Sequence, residues 1–82
     1  MKVPVEAYGY VGTLLEAGPR VVDVPDEGAT VGDVERALIR AVPELADSAE
    51  GLAYAVGAEA VARDRRLSEG EAVVVLSPVS GG

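Results

Sequence analysis

Most of the side chains that do enzyme chemistry are missing from this sequence. Its 82 residues include no histidine and no cysteine. Histidine is the one side chain whose ordinary pKa lies near neutrality, and it is the commonest zinc ligand. Cysteine would supply a thiolate nucleophile, a metal-binding sulfur or a disulfide. Their joint absence argues against a self-sufficient hydrolase, redox enzyme or zinc site. The remaining feature of chemical interest is the end of the chain, "SPVSGG" (Ser77 to Gly82). Two terminal glycines add nothing to a core and surrender the most backbone freedom when ordered. Their use must lie outside the packing of this molecule.

Charge narrows the partners. The formal net charge is −7, which disfavours binding to nucleic-acid phosphates and fits either solubility or a basic partner surface. One basic spot, "RDRR" (Arg63 to Arg66), reads first as a solvated loop and second as a contact for an acidic partner. No window approaches the ~20 apolar residues of a membrane span. The opening "MKVPVEAYGY" alternates and lacks the continuous apolar run of a signal peptide. The expectation is a cytoplasmic protein with no membrane or nucleic-acid partner.

The elements that must hold such a tail are readable in outline. Val3, Val5 and Ala7 alternate with polar neighbours at the period of a half-buried strand. Pro4 interrupts its hydrogen-bonding capacity. Val21, Val22 and Val24 form a second strand after "EAGPR", joined to the first through a loop around Leu14 and Leu15. "PDEGATVGDVERALIRAVP" is the clearest helix, capped by Thr30 with Asp33 three residues on and stopped near Val42 by Pro43. Its inward stripe is Val31, Val34, Leu38 and either Ala41 or Val42. "ELADSAEG" reads as loop. "LAYAV" (Leu52 to Val56) is a short strand with Gly57 as a turn, and "AVVVL" (Ala72 to Leu76) is the last. One helix on a mixed sheet of about four strands makes an α+β roll, with a body over residues 1–76 and a tail over 77–82. A last strand apolar on both faces must be central, and a single helix covers one face only. The other face is expected to meet a partner, with Val73 and Val75 on it. Tyr8, Tyr10 and Tyr54 are expected to pack or lie on the sheet.

Four stretches resemble the ubiquitin-like β-grasp sulfur carriers of the MoaD and ThiS families, nearest to the MoaD-type small subunit of molybdopterin synthase. They are the opening "MKVPVEAYGYVGTLLEAG", the helix start "GATVGDVERAL", "RDRRLSEGEAVVVL" with Asp64, Leu67, Gly70 and Glu71, and the tail "SPVSGG". The resemblance spans the chain. It implies that the Gly82 carboxylate is joined to AMP by an adenylating, MoeB/ThiF-like activating enzyme that holds the ATP and magnesium. A sulfur donor protein then supplies the sulfur of a thiocarboxylate, which serves the larger subunit of molybdopterin synthase or another acceptor enzyme. Gly81 and Gly82 would thread the active site because no Cβ obstructs them. Pro78 would stiffen the base of the tail, and Val79 with Ser80 would dock. This chain itself would bind no cofactor and no metal, and would not be an enzyme. The acceptor remains open among molybdopterin, thiazole, cysteine, tRNA and secondary-metabolite pathways. Two rival classes stand beside the carrier. One is a covalent modifier joined through Gly82 to lysines, for which Lys2 is the single lysine on this chain. The other is a binding module with an inert tail.

Overall fold

The apolar stripe of one helix, pressed on one face of a sheet, organises the molecule. The computed structural model describes residues 1–16 and 18–77. The sheet has five strands, one more than the sequence suggested: β1 (Lys2–Tyr8), β2 (Val21–Asp23), β3 (Ala53–Val56), β4 (Glu59–Val61) and β5 (Val73–Leu76), in the spatial order β2-β1-β5-β3-β4. The additional strand is β4, whose three residues are too few to show a period. Gly57 turns the chain back from β3 with φ +62°, a conformation that glycine adopts without penalty. β5 lies between β1, to which it is parallel, and β3, to which it is antiparallel.

Pro4 fits inside β1 for a geometric reason. The Val5 N–H donates to the Arg20 carbonyl at 2.8 Å, on the β2 side. Strand groups alternate in direction, so the Pro4 nitrogen points away from β2, and pairing with β5 begins only at Val5↔Val73. No ladder bond is lost there.

Helix α2 (Val31–Ala41) starts where the sequence placed it. Thr30 Oγ1 accepts from the Asp33 N–H at 3.3 Å, and the Asp33 carboxylate accepts from the Thr30 N–H at 2.8 Å. That reciprocal pair satisfies two otherwise orphaned donors. The next two are met by the "RDRR" loop: Val31 N–H donates to the Arg65 carbonyl at 3.0 Å and Gly32 N–H to the Arg63 carbonyl at 2.8 Å. Val31, Val34 and Leu38 are fully buried, while Ala41 is exposed and Val42 packs at the edge of the core.

Two segments expected as loops are helical. A short helix, α1 (Tyr10–Leu14), buries Val11, and a 3₁₀ segment (Pro43–Gly51) buries Leu45. The core they complete includes Val3, Val22, Leu52, Tyr54, Leu67, Val73 and Val75.

The parity of β5 corrects one expectation. Val73 and Val75 both have 0% exposure and point to the helix side. They are not a partner face. A run of apolar residues carries no period, so the sequence could not say which alternate pair faces inward. Val74 and Leu76 are the outward pair.

Candidate functional site

The site is built where β5 runs out. Its last ladder pair is Tyr8↔Leu76, and Ser77 then ties the departing chain to the body of the fold. The Ser77 N–H and its hydroxyl both approach the Tyr8 carbonyl at 3.3 Å. The same hydroxyl accepts the Val11 N–H at 3.1 Å. Val11 stands in the first turn of α1, whose N-terminal neighbour Gly9 has no side chain to cap it. Ser77 supplies that cap from 66 residues away. Gly9 makes room, with φ +79°, and a Cβ built there would lie 2.4 Å from Ser77 Oγ. Gly12 lets α1 sit on the end of β1, since a Cβ there would lie 2.9 Å from the Ala7 carbonyl oxygen. Ser77, expected as the first residue of the tail, is therefore held by the domain.

Around this exit the surface is apolar. The face of the sheet opposite α2 carries a row formed by Tyr8, Leu76 and Ala53, and a second formed by Glu6, Val74, Ala55 and Ala60. Tyr8 is 54% exposed, Leu76 37%, and Tyr10 on the adjacent turn 62%. The rows lead to the point at which residue 78 continues the chain.

Several charged groups are engaged away from this exit. The Tyr54 hydroxyl donates to Glu35 Oε2, and Arg63 Nε lies 3.0 Å from both Glu35 oxygens. The Arg63 guanidinium also stands 5.3 Å from the centre of the Tyr54 ring. Burial pushes the Glu35 carboxyl up, but bonds from Arg63 and Tyr54 with nearby positive charge outweigh it, leaving its pKa below the ordinary value. Burial, reinforced by the bond to Glu35, pushes the Tyr54 phenol well above its ordinary value. Arg65 makes a two-pronged pair with Glu71 at 2.6 and 3.0 Å, and the Ser68 N–H adds a third bond to that carboxylate at 2.7 Å. Bonding to Arg65 first, and to Ser68, lowers the Glu71 pKa. The "RDRR" run thus closes internal contacts through Arg63 and Arg65. Of the other family-like positions nearby, Leu67 is buried, Gly70 turns with φ +90°, and Asp64 is exposed.

The expected working residues Pro78, Val79, Ser80, Gly81 and Gly82 lie outside the described residues. Val73 and Val75 belong to the core. Reasoning from sequence missed the Ser77 anchor and the outward faces of Val74 and Leu76. A glycine nine residues in and a serine just after the last strand leave no local sign that they meet.

A protein-family model described as the ThiS family matches residues 9–82. The crystal structure of SAMP1 from Haloferax volcanii is similar, with a TM-score of 0.74 and 27% identity over 100% of both chains. A second crystal structure, of the H. volcanii small archaeal modifier protein 1, has a TM-score of 0.68 and 27% identity. It covers 95% of this chain and 98% of its own. No curated protein matches the sequence at significance.

Proposed function

This chain belongs to the ThiS family of ubiquitin-like β-grasp sulfur carriers, and from that premise we propose that it carries sulfur as a thiocarboxylate on Gly82. The observation that carries the reading is the extent of the family match, which runs to residue 82 and so takes in the two glycines. Small carriers of this kind are generally non-catalytic and work with activating and acceptor enzymes, so the chemistry is divided. A carboxylate is a poor electrophile. In the activating partner its oxygen attacks the α-phosphorus of ATP and pyrophosphate leaves, with magnesium held by that partner. The outer sulfur of a persulfide on a donor protein then displaces AMP at the carbonyl carbon, and a second thiol cleaves the resulting acyl disulfide, which releases the thiocarboxylate and leaves a disulfide behind. Gly81 and Gly82 offer the thin backbone such a reaction chamber requires. Pro78, Val79 and Ser80 serve docking.

The outward face of Val74, Leu76 and Tyr8, with Tyr10 beside it, is the surface we assign to the activating or acceptor enzyme. The resemblance of "SPVSGG" to the MoaD-type tail makes molybdopterin synthesis the preferred destination of the sulfur. A second reading is favoured by the likeness to a protein described as a small archaeal modifier. In it Gly82 is joined to lysines of target proteins. Self-linked chains would have one side-chain attachment point, Lys2, whose Nζ is 2.8 Å from Asp23 Oδ1.

Intact mass spectrometry tests the carrier reading. Incubation with a ThiF-like activating enzyme, ATP and a sulfur source should add the mass difference of one oxygen exchanged for one sulfur. Deletion of Gly82, or a residue appended after it, should abolish the change. Modification of the appended form without trimming would exclude the reading, and Gly82–lysine isopeptides in place of the thiocarboxylate would select the modifier.

A further inference from the structure

The geometry points to Ser77 as the positioning residue that aims the tail, a role it performs by capping α1 rather than by touching the reacting atoms. The inference rests on the carrier reading above. Three independent features converge on one hydroxyl. First, the Ser77 hydroxyl accepts from the Val11 N–H at 3.1 Å and lies 3.3 Å from the Tyr8 carbonyl, which binds it to two elements at once. Second, Gly9 leaves the hydroxyl its space, since a Cβ at that residue would stand 2.4 Å from Oγ. Third, Gly12 fixes α1 close to the end of β1, so the Val11 N–H is presented at a set distance from the β5 exit. Val11 has no exposure, and without the Ser77 hydroxyl its N–H would lose the one side-chain partner that the first turn has among the described residues.

The functional consequence follows from chain statistics. A tail that must enter another protein's active site searches less volume if its first free bond starts from a fixed origin and direction. Loss of the hydroxyl leaves Ser77 held by its N–H bond to the Tyr8 carbonyl alone, and fixing one loosened residue's backbone again on docking costs up to about a tenfold population factor. That penalty falls on productive docking. Once the Gly82 carboxylate is seated, the transfer of AMP proceeds as before. The latch therefore governs KM for the carrier, with kcat preserved.

The experiment compares the native chain with Ser77→Ala and Ser77→Thr, well below their melting temperatures. One readout is ATP–pyrophosphate exchange catalysed by a ThiF-like activating enzyme. The other is amide hydrogen exchange of the isolated chain at Val11 and Ser77. S77A should raise KM about tenfold with kcat within about twofold, and should speed Val11 exchange by about as much. S77T, which keeps the hydroxyl, should restore both. Unchanged Val11 exchange in S77A would show that the latch does not exist. Faster exchange with unchanged KM, or a fall in kcat alone, would show that it does not aim the tail. A native chain that supports no exchange reaction would instead defeat the carrier reading, and the inference with it.

Discussion

At the scale of single residues, the contact of Glu35, Tyr54 and Arg63 joins α2 to β3 and to the loop after β4. Glu35 has a lowered pKa, so its ionised form contributes stability that is present above the ordinary carboxylate range and is lost as pH falls through its folded value. Tyr54 has a raised pKa, so its contribution is present below about pH 10 and is lost as pH rises beyond that. Tyr54→Phe should flatten the alkaline loss of stability, and Glu35→Gln the acid loss, each read from urea midpoints across pH. At neutral pH, Tyr54→Phe should cost about 1–2 kcal/mol, the ordinary magnitude for one buried hydrogen bond with its partner left in place. A Tyr54→Phe acid–base profile matching that of the native chain would show that the contact contributes nothing. Between about pH 5 and 8 no side chain has an ordinary titration, because histidine and cysteine are absent. Melting temperature should therefore be nearly level in that window.

Elements differ in how openly the sequence declares them. α2 was legible because its signals are local: the Thr30 cap, Asp33 three residues on, and a stripe at helical spacing. α1 was not, because its cap is a serine 66 residues away. The Pro43–Gly51 segment has a three-residue turn and one inward side chain, Leu45, so it offers no stripe to read. The centrality of β5 could be inferred from its apolar composition, but its parity could not. Leu38→Ala should cost about 2–5 kcal/mol, since the side chain is fully enclosed, and an unchanged melting temperature would contradict the packing of α2. Val75→Asp and Val74→Asp separate the two faces of β5. The first places an unpaired charge in the core and should unfold the chain. The second should leave the melting temperature within a few degrees, and should weaken the complex with the activating enzyme if the outward face docks there. Circular dichroism and calorimetric titration distinguish these outcomes.

For the molecule as a whole, the net charge of −7 is gathered within a Cα radius of gyration of 11.7 Å. At about 10 mM salt the screening length, roughly 30 Å, exceeds that radius, whereas at about 150 mM it falls to roughly 8 Å. Self-repulsion should thus be felt at low salt and relieved at physiological salt, so the melting temperature should rise over this range. A fall would indicate that the attractive pairs, such as Arg65 with Glu71, outweigh the repulsion. The pairing of β5 with β1 has a separate implication for how the protein comes into being. Its central ladder joins Val5 to Val73 and Tyr8 to Leu76, so the sheet closes only when the last strand is available. During synthesis β1 can pair with β2 early but must wait for residues 73–76 before it meets β5, and a chain cut off before Val73 should remain unfolded. Pairing over so long a span raises the contact order and should slow folding relative to a helical bundle of the same size. Without β5 the sheet falls into two separate hairpins, β1 with β2 and β3 with β4, which no other ladder joins among the described residues.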